Sequence, residues 1–161
     1  MLLETLAWWA VLTGLGLGAW PLTRRLLGAL PGQGWAWARV FGLLGLGYLA
    51  WVGGTLGLIP NTRPALLLTG LGAALGLWAL DRAGGLRPWR GLSPAFLGLS
   101  EAVFAAGFFG GAALRSLFPE VRHTEQPMDL ALLNAAFRAE HFPPPDPWLA
   151  GHPVSYYYFG Y

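Results

Sequence analysis

The sequence predicts an all-α integral membrane protein, a helix bundle with about four transmembrane helices and an outward-facing tail that carries an interfacial helix. Three observations predict it. Of 161 residues, 55% are hydrophobic and only 11% are charged, with a mean hydropathy of +0.47, whereas a water-soluble domain carries about 25% charged residues. So little charge cannot coat a globule, which disfavours a soluble enzyme, a disordered tail and a nucleic-acid-binding domain. Four apolar stretches reach or approach the ~18–25 residues needed to cross a hydrocarbon core of about 30 Å. Finally, the chain divides at Phe118. Residues 1–118 hold eight Arg against Glu4, Asp81 and Glu101, leaving +5. Residues 119–161 hold Arg122 and Arg138 against five carboxylates, leaving −3, together with all three His and seven of the thirteen Pro. The first part reads as a transmembrane helical region and the second as an extracytoplasmic segment.

The predicted spans are Leu6–Leu22, Trp35–Ile59, Ala65–Leu80 and Ala95–Phe118. They are bounded by Arg24-Arg25, by Pro60-Asn61-Thr62-Arg63-Pro64, and by the Asp81–Pro94 segment rich in Gly, Pro and Arg. The third is the shortest. Positive residues stay on the cytoplasmic side of short loops. Arg24, Arg25 and Arg39 flank the first loop, Arg82, Arg87 and Arg90 sit in the third, and the second has Arg63. This predicts a multi-pass cell-membrane protein with its N-terminus and tail outside. Glu4 before the first span, with no basic n-region, fits an N-out anchor better than a cleaved signal peptide.

Glycines in Gly14-Leu15-Gly16-Leu17-Gly18, Gly53-Gly54 and Gly72–Gly76 suit close helix packing in lipid. Gly70-Leu71-Gly72 is not a nucleotide fingerprint, because no strand precedes it. Glu101 lies inside the fourth span, where an acid takes a partner or a function. Arg39 is the candidate partner, and a structural pair or a protonated Glu outweighs a transport role. Arg115, near the outer end, either snorkels or holds an anionic lipid phosphate.

The ten basic residues are Arg, scattered singly or in pairs, so no nucleic-acid patch forms. Absence of Cys removes disulfides, thiolate metal sites and Cys nucleophiles. His123, His141 and His152 lack metal-ligand spacing, which leaves zinc and serine-hydrolase readings weak.

In the tail a helix is predicted from about Met128 to Glu140, with Pro127 in its first turn. Leu130, Leu133 and Phe137 form an apolar stripe, opposed by Asp129, Arg138 and Glu140, as in a helix lying on a membrane. Such a helix holds Glu125 and Asp129 near the outer lipid surface. Asp129 otherwise only complements the helix dipole. The prolines of Pro143-Pro144-Pro145-Asp146-Pro147-Trp148 stiffen the backbone and fix Asp146. The closing Tyr156-Tyr157-Tyr158-Phe159 suits an aromatic belt. Hard carboxylates on the outer face suit Mg²⁺, Mn²⁺ or Ca²⁺ beside a substrate phosphate.

These residues carry a resemblance. Pro119-Glu120, Glu125-Gln126-Pro127-Met128-Asp129, Leu133-Asn134, Phe142-Pro143-Pro144, Asp146-Pro147-Trp148, Gly151 and Tyr156-Tyr157-Tyr158-Phe159-Gly160 resemble the archaeal and chloroflexi-type multispanning membrane proteins named for a Tyr-Tyr-Tyr motif. That family usually reads Glu-Lys-Pro-Met-Asp, so Gln126 departs by losing a positive charge. The match is dense over 119–161 and looser before it.

Members are longer and are regarded as membrane glycosyltransferases similar to the GT-C class, which take sugar from a polyprenyl-phosphate-linked donor on the outer face. The resemblance implies that Glu125 and Asp129 serve as base and metal ligands, with Asp146 as a third ligand to Mg²⁺ or Mn²⁺. It also implies that Asn134, Arg138, Tyr156, Tyr157 and Tyr158 shape the donor or acceptor site, to which the lipid-phosphate reading of Arg115 adds a substrate-binding residue. The chain then reads as the N-terminal part of such an enzyme, inactive alone, with the lipid bilayer, the sugar donor and the remaining spans of a longer or split protein as partners. The alternatives are a non-catalytic membrane scaffold and a small transporter using Glu101.

Overall fold

The computed structural model describes residues 2–84, 92–121, 125–156 and 158–160. Among them the chain forms five α-helices: α1 (Leu2–Leu27), α2 (Ala38–Thr55), α3 (Arg63–Ala83), α4 (Pro94–Leu117) and α5 (Gln126–Arg138), with a 3₁₀ segment (Pro31–Trp37) leading into α2. Four of the described segments, α1, Pro31–Thr55, α3 and α4, are long and apolar enough to cross a membrane. At most 22% of each apolar window is buried inside the protein, which leaves most of it as apolar surface suited to lipid.

α1 and α3 outrun the apolar runs that predict them, whereas α2 stops at Thr55, short of the expected Ile59. α1 extends from Leu2, and α3 has 21 residues where hydropathy alone marks 65–80. Asp81 therefore belongs to the last turn of α3, not to a connecting segment. Backbone hydrogen bonding continues beyond the hydrocarbon because polar side chains are cheap at the interface while open N–H and C=O groups are not. Ser93 caps α4 by accepting from the Phe96 N–H at 3.4 Å, with Pro94 in the first turn. Arg87 and Arg90 lie outside the described residues, as do His123 and Tyr157.

Contacts divide the chain into two compact units, residues 1–45 with 70–119, and residues 46–69 with 120–161. In the first, α1 turns into α2 through Gly32, Gln33 and Gly34, all with φ between 51° and 75°. Two of these three left-handed positions are glycine, which tolerates them without a Cβ clash. Gly16 lies against Arg39, Gly18 against Ala74 and Gly42 against the Leu15 backbone, so small residues bring α1 close to α2 and α3. In the second unit a Cβ on Gly53 would meet Ile59 and one on Gly54 would meet Phe142, so these glycines admit side chains of connecting segments rather than another helix. Gly14, Gly72 and Gly76 meet nothing within 4 Å among the described residues, which show no packing role for them.

Pro21 sits inside α1. It has no N–H for the carbonyl four residues earlier, which is Leu17. The indole N–H of Trp78 on α3 donates to that carbonyl at 3.1 Å. A helix–helix bond thus replaces the missing backbone bond, as lipid requires. Trp78→Phe is expected to destabilise the protein by about 0.6–1.7 kcal/mol, the range for hydrogen bonds between membrane helices. In a Pro21→Ala background, where residue 21 can donate to Leu17, the same change should cost less. A double-mutant cycle on unfolding in detergent checks this, and equal costs in the two backgrounds would discard the replacement.

Candidate functional site

In the second unit, α5 is tied to the turn between α2 and α3. The last carbonyls of a helix have no partner within it. For α5, the side-chain amide of Asn61 donates to Ala136 O and Ala139 O at 2.9 Å each, and the Asn61 backbone N–H donates to Glu140 O at 2.7 Å. The chain then reaches α2, where Phe142 N–H donates to Gly54 O at 3.3 Å. An added Cβ on Gly54 would meet the Phe142 ring at 2.6 Å, so glycine permits this approach.

Glu125 precedes α5 in helical conformation, and its carbonyl accepts from the Asp129 N–H at 2.8 Å. The helical register therefore begins at Glu125, earlier than the expected Met128, and the two carboxylates lie one turn apart on one face. Glu125 is exposed and Asp129 half-buried. Asp129 lies toward the face that buries Leu132 and Ala136. The expected stripe of Leu130, Leu133 and Phe137 is the outward one, 45%, 46% and 66% exposed.

Asp146 is fixed, as its proline setting predicts, but by hydrogen bonds. Its Oδ1 accepts from the backbone N–H groups of Trp148 at 2.8 Å and Leu149 at 3.0 Å. The backbone bonds Asp146 N–H to His152 O and Val154 N–H to Pro144 O, both at 2.9 Å, close the loop. Among the described residues no three His, Cys, Asp or Glu side chains converge as a metal-ligand group. Asn134, exposed, donates to Leu130 O at 2.7 Å, and Arg138 is exposed in the last turn. Tyr156 is 48% exposed. Tyr158 stacks on Phe142 at 6.0 Å, and Phe159 meets Trp51 edge-on at 5.3 Å.

The first unit holds a charged and aromatic layer. The guanidinium of Arg39 grips Glu101 with two bonds, Nη1 to Oε1 at 3.1 Å and Nη2 to Oε2 at 2.6 Å, while the Trp35 indole N–H donates to Oε1 at 2.8 Å. The expected Arg39 partnership is thus present. Arg39 also lies 4.0 Å from the Phe104 ring centroid, a favourable cation–π placement. A second cluster was not foreseen from sequence. Asp81 is 1% exposed and ion-paired with Arg24, with Arg25 Nε 3.8 Å from its other oxygen. Trp20 meets Trp35 and Trp78 edge-on at 5.3 and 6.0 Å. A signal existed, because successive spans alternate in direction and so bring the ends of the first and third spans to one side. Arg115 lines an open groove with Glu4, Trp8 and Phe108, and its guanidinium donates to Phe118 O and Pro119 O.

Four exposed apolar helices with ion pairs among their ends define a multi-pass α-helical membrane protein. The chain belongs to the family described as an uncharacterized membrane protein, DUF2298, whose model matches residues 46–161. Neither a curated protein nor a solved structure matches it. The matched stretch contains α5, the proline loop and the aromatic terminus.

Proposed function

We propose that the chain is the N-terminal part of a membrane glycosyltransferase that takes sugar from a polyprenyl-phosphate-linked donor on the outer face. The observation that carries this reading is the carboxylate pair Glu125 and Asp129, one turn apart at the start of a helix tied to a turn between two spans. One carboxylate accepts the proton of the acceptor hydroxyl as that oxygen displaces the polyprenyl phosphate, for which it must come within about 2.6–3.2 Å of the hydroxyl. Asn134, Arg138 and the Tyr156–Tyr158 run shape the donor and acceptor sites, and Arg115 holds a lipid phosphate. For a resident Mg²⁺ or Mn²⁺, the described carboxylates supply no three-ligand group, and the proton transfer needs none. Glu101, the residue of a transport reading, has both oxygens engaged by Arg39 and Trp35, which supports a structural pair.

In membranes carrying the whole protein, Asp129→Asn should abolish sugar transfer while insertion stays normal, and Glu125→Gln should reduce it strongly. Removing a charge that merely faced the helix dipole costs under about 1 kcal/mol. Wild-type transfer in both variants, assayed with and without chelator, would remove the site.

The Arg distribution supports a topology with the Arg-flanked loops in the cytoplasm and the tail outside. On intact cells Ser155→Cys should react with an impermeant thiol reagent and Ser93→Cys should not. The reverse pattern inverts the topology.

A further inference from the structure

At roughly 100° per residue, α5 carries three lengthwise sectors. Leu132, Ala136 and Ala139 are buried and supply its packing face. Leu130, Leu133 and Phe137 form a second apolar stripe, rotated by roughly 120° from the first, and it is exposed. Asn134 and Arg138, also exposed, occupy the third. A helix on the surface of a water-soluble protein needs one apolar stripe, facing its core. A second stripe beside a polar sector needs a second apolar phase.

Asn61 fixes where that phase lies. Its amide and backbone N–H bond the carbonyls of Ala136, Ala139 and Glu140, and it sits in the turn joining two segments long and apolar enough to cross a membrane. The C-terminal end of α5 is therefore held at the depth where two spans end, the boundary between hydrocarbon and headgroups. With 13 residues, or about 20 Å at 1.5 Å per residue, α5 is too short to cross.

The geometry points to Leu130, Leu133 and Phe137 as a lipid-docking surface. α5 lies along the bilayer interface with this stripe among the first acyl carbons, Asn134 and Arg138 in the headgroup layer, and Leu132, Ala136 and Ala139 against the protein. The occupant is the bilayer, because the helix is bonded directly to span ends that lipid already surrounds, and a basic residue borders the stripe on the headgroup side. This goes beyond the glycosyltransferase reading and stands whether or not sugar is transferred.

The chain contains no cysteine, so single nitroxide labels can be placed on the whole protein in nanodiscs of phosphatidylcholine and phosphatidylglycerol. All four target side chains are exposed, so their replacement removes no buried side chain. Labels at Leu133→Cys and Phe137→Cys should collide several-fold more with oxygen than with a water-soluble nickel chelate. Labels at Asn134→Cys and Arg138→Cys should show the opposite order. Nickel access at 133 and 137 would mean a solvated stripe, and shielding from both reagents would mean another protein surface. Either result overturns the docking.

Discussion

Asp81→Ala is expected to lower stability by about 3–5 kcal/mol, the cost of removing one partner from a buried ion pair. The carboxylate is 1% exposed and pairs with Arg24, whose side chain is 7% exposed. Truncation leaves a guanidinium that cannot reach water without unpacking the layer around Trp20, over whose ring its carbon sits at 5.5 Å. Arg25, 40% exposed, can turn outward and is not stranded. The pair itself is weak as a source of net stability, because desolvating both charges offsets their attraction. The double variant Arg24→Met with Asp81→Leu should therefore regain most of what Asp81→Ala loses. Thermal unfolding in detergent and a denaturant series read both values. A single-variant loss under about 1 kcal/mol would mean that water already reaches the cluster.

Glu101→Ala is the second large effect, at about 1.5–3 kcal/mol, typical of hydrogen bonds to charged groups. Three donors on Arg39 and Trp35 lose their acceptor at once. The Arg39 side chain is 9% exposed, whereas that of Glu101 is 37% exposed, which places this loss below that at Asp81. Trp35→Phe should cost less, since it removes one donor and leaves the bidentate pair. Arg39→Met combined with Glu101→Met should recover part of the loss. Equal stability of Glu101→Ala and wild type would show that lipid headgroups or water replace the carboxylate.

Hydropathy made the four spans readable because lipid demands long unbroken apolar runs. The Arg39–Glu101 pair was readable because an acid inside a span needs a partner and Arg39 stood at the neighbouring end. Asp81 reads with Arg82, Arg87 and Arg90 as connecting chain, since a hydropathy boundary says nothing of where helical hydrogen bonding stops. Pro21 carried a readable consequence, a bare carbonyl at Leu17, but nothing local named Trp78 as its donor. In α5, Pro127 and the three- and four-residue spacing of leucines announced a helix. Its packing face is not legible in the sequence because Ala136 and Ala139 add little hydrophobic weight, although their small size lets the helix sit close. Asn61 read as a turn residue. Its bonds to Ala136 and Ala139 join positions 75 and 78 residues apart, beyond any periodicity.

The bond between Trp78 and the Leu17 carbonyl also bears on the order of assembly. Spans are synthesised in sequence, so α1 is made well before its donor exists. Until α3 arrives, the first span carries an open acceptor where proline interrupts its ladder, a group that costs several kcal/mol in hydrocarbon. Arrival of the third span completes the first. A one-turn slip of α3 along α1 moves the indole by about 5.4 Å and leaves the carbonyl bare again. Proline and tryptophan together act as a registration mark, by which the bilayer itself penalises chains whose first and third spans meet at the wrong height.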